Sequence, residues 1–352
     1  MHSRLSRQQW RKLLTLADPE APAPERIEEP EDISNIVLAA FRHGLLPIVG
    51  RKLRSLNVPL SALDPSAREI LKSFEHDALH LVGRTMLLDH HAQKLTNLFL
   101  ESGVRAQIVK GPAFSNRLYK ERAERVYSDI DFLVALDDMP KANEIMRASG
   151  FEIKEAALEK AKITLEHPWV LKTSTIPLLV ELQGNLVHTP DMRKHLSYGY
   201  FEHTAADRLG APEPVKLLTT AVMHTACSNR FDSLRVLVDV LQAARQLESQ
   251  DYPEFLETVH AIGASLEVGT TLCLTAELFQ DSKTRQAATL FENNPAVRLG
   301  SRLIREYTLY EPEGKRFPVG AWFKRKAFRK LQKMQWSRRD RAGALNQTAQ
   351  AI

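Results

Sequence analysis

The apolar period of this chain changes twice, and the change restricts the architectures open to it. From Pro65 to Ser102 apolar residues recur at helical spacing, and Gly103 supplies a C-terminal stop. Val104 to Val109 then reads as a short strand, and Lys110-Gly111-Pro112 turns into a helix reaching about Tyr119, with Pro112 at its first position. A second strand follows at Ser128-Asp129-Ile130-Asp131-Phe132-Leu133-Val134, then a helix over about Met139 to Ser149 that ends at Gly150. Trp169 to Lys172 and Ile176 to Gln183 flank Thr173-Ser174-Thr175 as a hairpin. After Pro214 the spacing is helical again, through Val215 to Leu247 and Tyr252 to Phe279 towards Tyr307. Upstream, Ile33 to Leu56 reads as two helices broken at Gly44 to Pro47, and Trp10, Leu13 and Leu14 mark a short helix that docks elsewhere. A small α/β segment thus sits between helical regions.

Charge divides the chain differently. The formal net charge of +5 is an average of unlike parts. Residues 315–341 hold eleven Lys and Arg against one acid, a local +10 that leaves −5 for the remainder. The stretch from Asp18 to Asp32, with Pro19, Pro22, Pro24 and Pro30 among acids, reads as a linker. Two cysteines, Cys227 and Cys273, exclude a disulfide framework and suit a reducing cytoplasm. No apolar run approaches the ~18–20 residues of a membrane span. No apolar region follows the basic residues at the N-terminus, so a secretory signal is not expected.

Within the second strand, alternation puts Asp129 and Asp131 on one face while Ile130 and Phe132 enter a core. Two carboxylates on one strand face repel each other unless a cation lies between them. Hard oxygen donors suit Mg²⁺, which draws the rest of its shell from water and substrate phosphates. Glu181, set among Leu178, Leu179, Val180 and Leu182, is a third acid whose burial is costly unless it faces a site. Two ions roughly 3.5–4 Å apart on such a triad would activate an attacking hydroxyl and stabilise a leaving phosphate. Asp-x-Asp alone arises by chance in a chain with 43 acids among 352 residues; the surrounding strand, Gly turn and helix give it weight.

Those residues carry a resemblance. Lys110-Gly111-Pro112-Ala113, Tyr119, Arg125 and Ser128-Asp129-Ile130-Asp131-Phe132-Leu133-Val134 resemble the uncharacterised bacterial nucleotidyltransferase family of the DNA polymerase β superfamily. Ala40-Phe41-Arg42-His43-Gly44-Leu45-Leu46-Pro47 upstream is similar to that family, as are His224 and Leu234 to Asp239 downstream, so the likeness spans about Ile33 to Asp239. It implies an α+β fold, a small mixed β-sheet nucleotidyltransferase core flanked by N-terminal and C-terminal helical regions. The corresponding layout is an N-terminal helix and linker (1–32), a helical region (33–102), the α/β core (103–212), a helical domain (213–310) and a basic aromatic tail (311–352). The resemblance also implies Mg²⁺-dependent transfer of a nucleoside monophosphate from an NTP, with Mn²⁺ as a substitute. Asp129, Asp131 and Glu181 would be the catalytic metal ligands. Lys110, Gly111, Arg125 and Ser128 would attend the nucleotide, because backbone N–H groups at a helix start favour phosphate. The chain departs from the pattern twice. Pro112 stands where the wider superfamily has a serine, leaving Ser115 and Ser128 as the nearest hydroxyls, and Gln183-Gly184 stands where the family commonly shows His-Trp.

Other features point elsewhere. His76 and His80 mimic a zinc helix motif, but Asp77 replaces its Glu and no third ligand follows. His90-His91 reads as a solvated helix pair, His188 as a loop histidine, and His224 either as a buried core histidine or, with Asp239, as lining for an acceptor pocket. Asp239 otherwise suits an ion pair with Arg235 or Arg230. The tail interleaves Trp322, Phe323, Phe328 and Trp336 with cations, which suits the acidic body, an anionic membrane surface or nucleic acid. Three functions follow: an active nucleotidyltransferase with an unspecified acceptor, a nucleotide-binding scaffold of that fold without turnover, or a transferase acting on nucleic acid through the tail.

Overall fold

The computed structural model describes residues 5–22, 30–56, 60–172, 177–193, 195–201, 213–310 and 319–349, with side chains omitted at 30–31, 62, 77–79, 319 and 336–349. Helix α1 (Arg7–Ala17) starts in a capping box between Ser6 and Gln9. α2 (Pro30–Arg42) and α3 (Leu46–Ser55) follow, separated by Gly44 in the left-handed region (φ +69°). The long α4 (Pro65–Glu101) begins at an Asp64 cap with Pro65 in its first turn. It ends at Gly103, after which Val104 N–H donates back to Phe99 O at 2.8 Å.

The α/β segment runs β1 (Ala106–Ile108), α5 (Pro112–Leu118), β2 (Asp129–Val134), α6 (Met139–Ala148), α7 (Glu155–Thr164), β3 (Glu166–Lys172) and β4 (Pro177–Gln183). The four strands form one mixed sheet in the order β1-β2-β4-β3. β1 is antiparallel to β2, β2 parallel to β4, and β3 antiparallel to β4. The parallel pair needs a long crossover, which α6, α7 and β3 provide. The fold is therefore α+β, with a small mixed sheet between helical flanks. The third strand starts at Glu166, three residues earlier than its apolar run suggested. Pro168 inside it is tolerated because β3 is an edge strand. The turn at Thr173-Ser174-Thr175 lies outside the described residues, as do residues 23–29 of the Pro-rich stretch, whose end belongs to α2.

The C-terminal helices are α8 (Pro214–Met223), α9 (Leu234–Arg245), α10 (Asp251–Ala261), α11 (Ser265–Phe279), α12 (Ser282–Thr289), α13 (Pro295–Leu303) and α14 (Val319–Ala349). The expected single run from Val215 to Leu247 is broken. His224–Asn229 form a π-helical turn, and Arg230 and Phe231 take positive φ before the Ser233 cap of α9.

The two sheet faces bury different material. Ile130, Phe132, Val134, Leu178, Val180, Leu182 and Trp169 pack against Leu95 and Phe99 of α4 and Met139, Ala142 and Met146 of α6. Phe99 meets Phe132 edge-on at 5.2 Å. A larger core joins α1–α3 to α8–α13 and, among the described residues, takes only Leu133 from the sheet, on its opposite face. That face also carries Leu179 and the polar residues described below. Helix α14 lies on the C-terminal helices through buried Phe328 and Gln332. Arg325 pairs with Asp232, and Lys333 with Asp191. No described helix is long and apolar enough to cross a membrane.

Candidate active site

Register brings the acids together. Asp131 of β2 lies opposite Glu181 of β4, and Asp129 opposite Leu179. Alternation then aims Asp129, Asp131 and Glu181 at one face, away from Phe132 and Val180. Their carboxylate oxygens lie within 4.8 Å of one another, and among the described residues this is the one group of three or more His, Cys, Asp or Glu with such spacing. Asp131 is buried, while Asp129 and Glu181 are half-buried.

The turn before α5 supplies the counter-charge. Lys110 Nζ sits 2.8 Å from Asp131 Oδ1. Gly111 holds that turn at φ +54°, and a Cβ there would lie 2.9 Å from the Asp129 carbonyl oxygen, so only glycine fits. Gln183, fully buried, donates from Nε2 to the same Asp131 Oδ1 at 2.6 Å and to Glu181 Oε2 at 3.2 Å. The residue that departs from the family pattern thus bridges two of the three acids.

The electrostatics separate the three carboxyls. Burial pushes Asp131 up, but the Lys110 ammonium outweighs it and holds the carboxyl below the usual range. Asp129 is raised by burial and then by Asp131. Glu181 is pushed up to about 8 by burial, followed by the charges of Asp131 and Glu166. Lys110 is stabilised as a cation, since Asp131 more than offsets its burial. His224 opens the π-helical turn beside this group. Burial, then Lys110, depress it to about 3, so it is neutral at ordinary pH, and its Nδ1 has no hydrogen-bond partner among the described residues. A π turn re-aims a side chain that a continuous helix would place elsewhere.

A fourth acid extends the row. Glu166 lies opposite Gln183 across β3–β4, and its Oε1 is 3.0 Å from His188 Nδ1. That hydrogen bond holds Glu166 below the usual carboxylate range. His188 therefore belongs to the margin of the site rather than to a free loop. Glu166 escapes a reading of the sequence because the strand's apolar signal begins after it.

Arg125 and Ser128 take different positions. The Arg125 side chain is only 6% exposed, with Nε 2.8 Å from Asp239 Oδ1 and Nη1 donating to Val126 O at 2.8 Å. Tyr119 donates its hydroxyl to the same Asp239 oxygen at 2.7 Å. Asp239 is thus hydrogen-bonded by Arg125 and Tyr119, while Arg235 acts on it only through its charge. Ser128 is exposed, its Oγ 3.5 Å from Asp129 Oδ1, whereas Ser115 is buried and donates to Arg122 O at 3.1 Å. Of the two substitute hydroxyls, only Ser128 faces the acids. His76 and His80 are both exposed on α4, with ring centroids 6.5 Å apart.

Three clustered carboxylates offer only hard oxygen donors, the set that a small divalent cation takes. No curated protein and no solved structure is detectably similar to the chain. A family model, that of an uncharacterised nucleotidyltransferase, matches residues 29–280, which include the sheet, the acidic cluster and the helices from α2 to α11. The chain belongs to this uncharacterised nucleotidyltransferase family.

Proposed function

We propose that the chain moves a nucleoside monophosphate from an NTP to an acceptor hydroxyl, with a divalent cation, Mg²⁺ or in its place Mn²⁺, held by Asp129, Asp131 and Glu181. The observation that carries this reading is the convergence of those three carboxylates on one sheet face. When bound, such a cation polarises the phosphoryl oxygens and offsets the charge of the leaving pyrophosphate. A bond forms from the acceptor oxygen to the α-phosphorus, and the bond to the bridging oxygen of the pyrophosphate breaks. The acceptor's proton needs a base, and the Glu181 carboxylate, on the same face as Asp129 and Asp131 and ionised once the cation is bound, would accept it. Lys110 keeps Asp131 ionised and adds positive charge where the triphosphate would lie. Ser128 offers an exposed hydroxyl beside Asp129, and the charge of Arg125, held by Asp239, acts on Asp129.

The test replaces Asp129 or Asp131 by Asn and follows transfer from α-labelled NTPs to candidate acceptors. The expected outcome is loss of roughly 10²-fold or more in transfer for either variant, the scale of removing a group that stabilises transition-state charge. Undiminished transfer in either one overturns the assignment.

One observation favours a second reading, a nucleotide-binding or scaffold protein without turnover. Lys110 and Gln183 both bind Asp131 Oδ1, so the chain's own donors engage an oxygen that a cation would use. Under that reading NTP with Mg²⁺ raises the melting temperature, yet no acceptor yields product. Absence of any thermal shift with NTP and Mg²⁺ removes both readings.

A further inference from the structure

The family match ends before α13 and α14, and α14 carries a surface that the acidic site does not use. The inner side of α14 is committed. Phe328 is buried and meets Phe231 edge-on at 5.5 Å, and Gln332 Nε2 donates to Glu267 Oε1 at 3.2 Å. Gly300 lets α13 come close, since a Cβ there would lie 3.1 Å from the Phe328 ring. The outer side differs in kind. Trp322 is 55% exposed and Phe323 58% exposed, large apolar areas to leave in water. Lys326 Nζ lies 4.3 Å over the Trp322 ring, and Lys330 is exposed one turn further on.

Further cations flank this patch at the junction with the preceding elements. Lys324 lies 3.9 Å over the ring of Tyr307, whose hydroxyl donates to Arg302 O at 3.4 Å. Arg302 and Leu299 are both exposed on α13. Glu306, the acid nearest in sequence to Tyr307, is turned inward, accepting from Trp10 Nε1 at 2.8 Å. No acid occurs between residues 319 and 335. The result is a strip of bulky apolar side chains among cations, on a chain whose remainder carries net negative charge.

We propose that this face of α14 binds an anionic lipid bilayer, with Trp322 and Phe323 entering the headgroup boundary and Lys326 and Lys330 facing lipid phosphates. An interfacial helix of this kind combines buried apolar area with attraction to anionic lipid. Single-stranded nucleic acid would use the same cations, but it stacks its bases on open aromatic faces. Here Lys326 covers the Trp322 face, and Trp322 and Phe323 pack edge-on against each other at 4.9 Å. The proposal is independent of nucleotidyl transfer.

The test uses the full chain with vesicles of neutral phosphatidylcholine, alone or mixed with phosphatidylserine, and with single-stranded RNA as a separate arm. Anionic vesicles should bind and neutral ones should bind far less, with the affinity falling as salt rises. Each cation near the surface contributes about fivefold, so the K326E/K330E double variant should lose at least about tenfold. The W322S/F323S variant should lose a similar factor at unchanged melting temperature. Brominated acyl chains should quench the Trp322 contribution to fluorescence, and the Trp322→Phe variant should lose that quenching component. Equal binding to neutral and anionic vesicles overturns the proposal. So does vesicle binding that W322S/F323S leaves unchanged, or binding to RNA alone.

Discussion

At the residue scale, the site is governed by how differently three neighbouring carboxyls hold their protons. Glu181 sits near 8 against an ordinary 4.5, so the folded chain keeps a proton that the unfolded chain has released between those values. Without a cation, its contribution to stability therefore falls as pH rises through that window. Asp129, also raised, adds in the same direction from 3.8 upward. A divalent cation favours the ionised forms, so the increase in melting temperature on adding Mg²⁺ should be larger at about pH 8.5 than at about pH 6. Glu181→Gln should flatten both dependences. An equal Mg²⁺ shift at the two pH values would separate Glu181 from the cation. Asp129 and Asp131 were legible in the sequence because strand alternation is a local property. Glu181 was legible as an acid set among aliphatics. Gln183 and Glu166 were not, because their roles arise from β3–β4–β2 pairing, which no local pattern of the sequence specifies.

At the scale of elements, α9 is fastened to the segment between α5 and β2 by one buried group: Asp239 with Arg125 and Tyr119. Removing one partner of a buried ion pair costs about 3–5 kcal/mol, because the other charge stays in the interior unpaired. Asp239→Ala should therefore lower stability by that order in urea denaturation. The double variant Arg125→Met with Asp239→Leu should recover much of the loss, since neither charge is then stranded. If the double variant is as unstable as Asp239→Ala, the pair is more than a fastening. Most elements here follow from periodicity and punctuation: the Pro65 start and Gly103 stop of α4, and Pro112 at the start of α5. Two did not. α7 buries only Ala161 and so has no apolar stripe to betray it. The π turn at His224 interrupts an apolar run that reads as continuous helix, and only the backbone reveals it.

At the scale of the whole molecule, α1 closes the core between the first helices and the last. Arg245 of α9 binds Asp18 after α1 at 2.7 Å and Asp281, the cap of α12, at 2.8 Å. Tyr310 donates its hydroxyl to Leu5 O at 2.9 Å, while Trp10 reaches Glu306. The helix lies outside the matched family region, yet Trp10, Leu13, Leu14 and Leu16 are buried in the same core as α9 and α11. Burying each such side chain contributes about 1.5–3 kcal/mol. Together the four approach the about 5–15 kcal/mol that separates a folded domain from its unfolded chain. Deleting residues 1–18 should therefore abolish cooperative folding of the helices around that core, even though every proposed site residue is retained. Arg245→Ala, which keeps the apolar contacts, should cost less but leave Asp18 and Asp281 without their shared cation, and its urea midpoint should fall between those of the intact and truncated chains. A truncated chain that stays soluble with an unchanged midpoint would mean that α1 rests on the core without closing it.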